Sequence, residues 1–314
     1  MIDRRGLATL VAAVDAGTFE LAARALRVTP SAVSQRVKAL EGELGRVLLE
    51  RTKPIRPTRD GEALVRLGRQ VALLEHDALE ALGGDGGGDG RGGARTVSAI
   101  PLAVNADSLA TWLLPALAAA SQEQPVAFEL LREDQARTAE LLASGRVMAA
   151  ITSQAAPVPG CTVVPLGRMR YRPVATPGYV ARHLPDGPTA AALAVAPVVD
   201  FDRDDELQSR WLRTVSRRPL DPPRHRIAAS TEFARAIGLG MGWGMLPDAQ
   251  AADGIASGRL VRLADDAAVD VPLYWQQWNL RSPLLDAVAA HVAAAAGLAL
   301  EPPRRASSPV RRIR

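Results

Sequence analysis

Residues 18–44, TFELAARALRVTPSAVSQRVKALEGEL, leave the chain little choice but two short helices joined by a tight turn. Thr18 can cap the first, and Leu21, Ala22, Ala25 and Leu26 recur at the spacing of one apolar helical face. Thr29 followed by Pro30 is an N-cap with proline at the first helical position, which restarts a helix after a break at Arg27 and Val28. That second helix would bury Ala32, Val33, Val37 and Leu40. Its other side presents Ser31, Ser34, Gln35, Arg36 and Lys38, groups suited to base edges and phosphates in a DNA major groove.

The alternative is an ordinary amphipathic hairpin with a solvated polar face. Charge favours DNA. Between Arg24 and Arg59 nine basic side chains stand against three glutamates, an excess of six, whereas the whole chain carries only +4. A basic excess gathered around two such helices is the electrostatic footprint of a DNA-binding domain. The following LLERTKPIRPTRDGEAL contains Pro54 and Pro57, which exclude a helix interior and favour a loop or short hairpin, a wing. Arg51, Lys53, Arg56 and Arg59 would then lie beside the groove. Thr58 should cap a long helix reaching Leu82, with Ala63, Leu64, Leu67, Val71, Leu74 and Leu82 as its apolar seam. A lone helix cannot bury such a stripe, so a second copy is its economical partner.

FELAARALRVTPSAVSQRVKALEGELGRVLLERT together with RPTRDGEAL resembles the winged helix-turn-helix and linker helix of LysR-type transcriptional regulators nearly position by position. Pro30 and Arg36 depart from the polar residue and the glutamine frequent at those base-reading positions. The resemblance implies a sequence-specific regulator that binds double-stranded DNA as a homodimer or homotetramer, with RNA polymerase as a further partner.

At 314 residues the chain has room for a second domain of about two hundred residues. Cys161, the one cysteine, excludes a disulfide framework, and no nearby base argues for a nucleophile. MIDRRGLATL runs directly into an amphipathic helix rather than a signal peptide, and no apolar stretch is long enough to span a bilayer. A cytoplasmic, nucleoid-associated protein without a membrane partner is expected. GGDGGGDGRGG reads as a flexible hinge, since the Lys-Ser or Lys-Thr of a phosphate loop is missing after its glycines.

Beyond the hinge, apolar strands alternate with helices: RTVSAIPLAV, DSLATWLLPALAAASQ, VAFELLRED, ARTAELLASG and VMAAITSQ imply a parallel sheet with crossover helices. VAPVVDFD and GWGMLP read as buried strands, and VPLYWQQW with SPLLDAVAAHVAAAAGL as a final strand and helix. The expected fold class is therefore α/β, an N-terminal winged helix-turn-helix with linker helix followed by an effector domain. By resemblance that domain is two-lobed and like periplasmic binding proteins, with chain crossings near residues 170–173 and 269–272 and a small ligand between the lobes, at strand C-termini and helix N-termini. The expected boundaries are 1–58 for the winged domain, 59–82 for the linker helix, 83–94 for the hinge and 95–300 for the effector domain. Within the last, lobe I takes about 95–171 and 271–300, and lobe II about 172–270. Residues 301–314, rich in arginine and proline, read as a disordered basic tail.

AVNADSLATWLLPAL, REDQARTAELLASG, PVVDFDRDDELQ, STEFARAIGLGMGWGMLP and LYWQQW are similar to the arginine- and lysine-responsive branch of the family, whose members control export of basic amino acids. No cofactor is implied beyond such an effector. A cationic ligand needs carboxylate partners, and Asp107, Glu129, Glu133, Asp134, Asp200, Asp202, Asp204 and Asp205 are candidates. Asn105, Ser108, Thr152 and Thr231 are further cleft candidates, with Ser108 near a helix start where free N–H groups can hold a carboxylate. Plain helix caps and a solvated Asp-Arg-Asp-Asp loop are the alternative for these residues. GLGMGWG does not open a helix after a first strand, so it is no dinucleotide loop. His76, His183, His225 and His291 lack metal-ligand spacing. Tyr274, Trp275 and Trp278 read as core. Two rival functions remain, an architectural or replication-origin DNA-binding protein without a ligand, and an enzyme, for which no nucleophile elbow or paired acid and base is present.

Overall fold

The computed structural model describes residues 2–50, 52–83, 97–132 and 135–303. Asp3 caps α1 (Arg4–Ala16) by accepting from the Arg5 and Gly6 amides. Thr18 caps α2 (Phe19–Ala25) and Thr29 caps α3 (Pro30–Leu44), with Arg27 in the left-handed region at φ 53° between them. Ala22, Ala23, Val33, Val37 and Leu40 join Leu10 and Ala13 of α1 in one small core. Leu21 and Ala25, expected on the buried face, are exposed, because Ala22 and Ala23 turn the helix about one residue further round.

β1 (Leu49–Glu50) and β2 (Arg56–Pro57) form an antiparallel hairpin, the wing. Thr58 then accepts from the Gly61 amide and starts α4 (Arg59–Gly83). Val65 of α4 packs in the N-terminal core, and Leu73 belongs to the core of the second domain. Of the apolar seam expected along α4, Leu64, Leu67 and Val71 are half-buried, while Ala63, Leu74 and Leu82 are exposed. The hinge beyond Gly83 and the tail from Arg304 lie outside the described residues.

The second domain opens with β3 (Ser98–Val104), α5 (Ala106–Ser108), a π-helical turn (Leu109–Leu113), α6 (Leu114–Glu123), β4 (Val126–Arg132), α7 (Gln135–Ala143) and β5 (Ala149–Thr152). β3 pairs in parallel with β4 and β5, as crossover helices require. The sheet as a whole is mixed rather than parallel. β6 (Cys161–Ala175) runs on into a second half made of α8 (Pro177–His183), α9 (Ala190–Leu193), β7 (Val198–Asp200), α10 (Leu207–Val215), β8 (Arg224–Arg226), α11 (Ser230–Gly238), β9 (Gly244–Pro247), α12 (Asp248–Ala256) and β10 (Val261–Arg262). β11 (Val269–Trp278) returns antiparallel along β6, pairs with β5 and leads to α13 (Pro283–Ala299). β9 and β10 pair with the far end of β6. Two strands thus carry both halves.

Glu301, expected within the disordered tail, is instead paired with β6. Glu301 exchanges backbone hydrogen bonds with Arg168, at 2.8 and 3.0 Å, and its carboxylate meets Arg170 at 3.1 Å. Paired backbone groups hold it on β6. Among the described residues no single helix is long and apolar enough to cross a membrane.

The N-terminal core is small, so each of its large side chains matters. Leu40, 1% exposed, lies under α1. Leu40→Ala should destabilise the N-terminal domain by about 2–5 kcal/mol. Urea unfolding followed by circular dichroism should place this domain's transition earlier and leave that of the α/β domain unmoved.

Candidate functional site

Two surfaces carry the candidate chemistry. On α3, Thr29 accepts from the Ala32 amide at 3.2 Å, so the first turn is held and its remaining donors point outward. With about 100° between successive residues, Ser31, Ser34, Gln35 and Lys38 fall on one side, opposite Val33, Val37 and Leu40. Ser31, Gln35 and Lys38 are exposed and Ser34 half-buried. Arg36, which the sequence placed on this face, is half-buried and lies about 150° from its middle, beside Leu40 and Val33, because it is one residue further round the helix than Gln35. Lys53 and Arg56 of the wing are exposed, and neither they nor Lys38 form an ion pair with another described residue. Arg51 lies outside the described residues. This basic surface retains its charge for an anionic partner.

The second surface is a cavity of about 890 Å³ between the two halves of the α/β domain. Asn105, Asp107, Asp202, Asp204 and Asp205 line it. Asp107 sits at the start of α5, after the C-terminal end of β3. Its carboxylate accepts from the Tyr171 hydroxyl and from the Ser230 hydroxyl, each at 2.7 Å, and so joins α5, β6 and α11 across the cleft. Ser230 opens α11, whose N-cap Ala229 has no side chain able to satisfy the leading amides. Gln250 donates to both the Ser230 carbonyl and its hydroxyl at 3.2 Å, fixing that corner. Burial, and then the Asp107 carboxylate, push the Tyr171 hydroxyl well above its ordinary range, so it stays a donor.

The opposite wall is the loop between β7 and α10. Asp205 accepts from the Phe201 amide at 2.9 Å and the Leu207 amide at 3.0 Å, and Asp202 accepts from the Asp204 amide at 2.8 Å. These bonds shape the loop and leave Asp204 exposed at its tip. Burial raises the Asp205 carboxyl above the usual carboxylate range, opposed by the two amides and by Gln208 and reinforced by nearby Asp200. Arg132, at the C-terminal end of β4, and Arg210, on α10, also line the cavity and form no ion pair with a described residue. Carboxylates, two guanidinium groups and a free helix N-terminus within one cavity suit a ligand carrying both signs of charge.

Five expected cleft residues sit elsewhere. Asp200 is 2% exposed and paired to Arg224 at 2.8 Å behind the wall, because a buried carboxylate needs a cation. Thr152 is buried and accepts from the Gln154 amide, turning the chain after β5. Ser108, the residue after Asp107, is buried at the end of α5 rather than at its N-cap. Thr231 is exposed, and its neighbour Ser230 faces the cleft in its place. Glu129 is exposed on β4 outside the cavity lining, and Glu133 and Asp134 fall outside the described residues. Arg132, Tyr171, Arg210 and Ser230 were not anticipated. Arg132 alone had a readable signal, since it ends a parallel strand where such sheets bind ligands. Among the described residues no group of histidine, cysteine or carboxylate side chains could hold a metal ion.

Residues 5–62 match the family described as bacterial regulatory helix-turn-helix protein, lysR family, and residues 96–297 match the LysR substrate binding domain. The chain is 41% identical over 279 residues to the lysine export transcriptional regulatory protein LysG of Corynebacterium glutamicum, covering 88% of this chain and 91% of that one. It is similar to the crystal structure of ArgP from Mycobacterium tuberculosis, with a TM-score of 0.83 and 44% identity over 97% of this chain and 100% of that chain. It is also similar to full-length LysG from Corynebacterium glutamicum with arginine bound as effector, with a TM-score of 0.74 and 37% identity over 96% and 100% of the two chains. These relatives are named as regulators, which removes the enzyme reading. With a helix-turn-helix and a substrate-binding domain matched in that order along almost its whole length, the chain belongs to the LysR-type transcriptional regulators.

Proposed function

We propose that this regulator senses a free basic amino acid, arginine or lysine, in the cleft between the two halves of its α/β domain and controls export of that amino acid. The observation that carries the reading is the cleft's charge arrangement. Asp202, Asp204 and Asp205 form a wall suited to a guanidinium or ammonium group, while Arg132, Arg210 and the start of α11 suit an α-carboxylate. Asp107 is the natural partner for the α-ammonium. The similar LysG with bound arginine and the lysine export regulator agree with this choice. Residues 95–171 with 271–300 and residues 172–270 would act as the two lobes, closing about β6 and β11. Ser31, Ser34, Gln35 and Lys38 would read bases, and Arg36, Arg51, Lys53 and Arg56 would hold phosphates. The exposed seam of α4 would pair with a second copy, giving a dimer or tetramer on an inverted-repeat operator in the nucleoid, next to RNA polymerase.

Melting of the purified protein with each of the twenty amino acids tests the ligand. Arginine or lysine should raise the melting temperature by mass action, and the other uncharged and acidic amino acids should not. A protein that none of them stabilises, and that binds unrelated DNA as well as its own operator, would return the architectural reading.

The DNA face makes a separate prediction. Gln35→Ala should weaken operator binding while leaving unrelated DNA nearly unaffected. Lys53→Ala should weaken both alike and reduce the slope of affinity against salt by about one. An unchanged slope would take the wing off the DNA.

Asp205 gives the pH dependence its sign. Its raised pKa means that, on acidification, it becomes neutral before ordinary surface aspartates do, and a cationic ligand then loses a partner. Arginine affinity, measured by calorimetry, should therefore fall early as pH is lowered. Asp205→Asn should bind arginine weakly and show little of that early fall.

A further inference from the structure

Arg66 and Arg69 of α4 tie the linker helix to one half of the α/β domain. Arg69 is 7% exposed and reaches in two directions. One of its guanidinium nitrogens donates to the Gly145 carbonyl at 2.5 Å, and another to the carboxylate of Asp15, near the end of α1. Arg66 donates to the Pro159 and Gly160 carbonyls at 3.3 and 3.2 Å and lies over the Trp278 ring, 5.9 Å from its centroid. Leu73, four residues beyond Arg69 on the same helical face, is buried in the core of the α/β domain.

The receiving surface is shaped for these side chains. Gly145 and Gly160 both lie in the left-handed region, at φ 74° and 77°. A Cβ on Gly145 would come within 2.4 Å of the Arg66 Cβ, and one on Gly160 within 2.7 Å of the Arg66 guanidinium. Only glycine meets both the backbone angle and the close approach. Among the described residues, the hydrogen bonds and ring contact of the two arginines with the α/β domain fall on residues 145–161 and on Trp278, in the half built on β3, β4 and β5.

We propose that this contact is the coupling element of the regulator: it fixes that half to the linker helix and, through Asp15, to the DNA-binding domain, so that ligand closure moves the other half against a frame continuous with the recognition helix. The inference rests on the reading of the cleft as a basic amino acid site. Coupling needs a rigid connection on one side and a moving part on the other. The two arginines supply the first, and the half that the chain enters along β6 and leaves along β11, and that touches neither arginine, supplies the second.

The test uses the full-length protein, operator DNA and arginine, with DNA affinity measured with and without saturating arginine and arginine affinity measured on its own. In the wild type the two DNA affinities should differ by a factor of about 5 to 150, the usual range of allosteric coupling. In Arg66→Ala, which keeps a good helix former at a half-buried position, and in Arg69→Met, which keeps the buried length, that ratio should fall towards one while arginine affinity is retained. Gly145→Ala, which keeps both arginines but crowds Arg66, should do the same from the other side. Variants that respond to arginine as fully as the wild type would overturn the coupling role alone. Variants that lose arginine affinity together with the ratio would overturn it too, because the contact would then merely hold the domain together. A wild type that binds arginine but whose DNA affinity ignores it would overturn this inference alone, and one that binds no arginine would overturn the ligand reading with it.

Discussion

The pairing of β6 with β11 is the constraint on which the α/β domain depends. The ladder runs from Cys161 opposite Trp278 to Tyr171 opposite Val269, with one register shift between Leu273 and Tyr274. Each strand belongs to both halves, so neither half can be completed without them. Side chains reinforce the crossing. Arg168 and Arg170, two residues apart and so on one face of β6, both donate to Asp270 of β11, and Arg170 also meets Glu301. Arg172, next on that face, donates to Asp248 of α12 at 2.8 Å. Such an array adds little net stability, because each ion gives up water to join it. Its effect is positional, since removing one member would leave its partners charged and largely buried.

The cleft follows from that ribbon. Tyr171, next to Arg170 on the other face of β6, reaches Asp107 of the first half, and the same carboxylate accepts from Ser230 of the second. Asp107 therefore stands where the two halves meet, and each of its oxygens is held by a donor from a different element. An amino acid entering the cleft has to compete with or join this arrangement. A residue that links the halves is well placed to report what lies between them.

Local chemistry was legible in the sequence, and long-range pairing was not. The caps at Thr18, Thr29 and Thr58, the proline opening α3 and the strand-helix alternation from β3 to β5 are encoded within a few residues each, and the structure forms them there. The carboxylates of the loop after β7 were legible as cleft candidates because acidic residues cluster there. Asp200 was misread since its partner, Arg224, lies on β8, 24 residues away, and nothing in a single sequence pairs them. Thr231 was misplaced by one residue, and on a helix one residue is about 100° of rotation, enough to exchange a cleft-facing hydroxyl for an exposed one. Glu301 looked like part of a tail because what orders it is the backbone of Arg168, more than a hundred residues earlier.

The same rotation explains why α4 needs its composition. Gly61, Val65 and Gly68 fall on one side and pack against the N-terminal domain. Arg66, Arg69 and Leu73 fall about 90° away and dock on the α/β domain. Leu67, Val71, Leu74 and Leu82 fall on a third side, where Leu74 and Leu82 are 42% and 78% exposed. A helix serving only the N-terminal core would need one apolar stripe, and charged residues would cover the remainder. The exposed third stripe costs solubility in a lone chain, so its retention is physically intelligible when another surface covers it. One helix thus meets the DNA-binding domain and the ligand-binding domain on separate faces and leaves a third apolar stripe open.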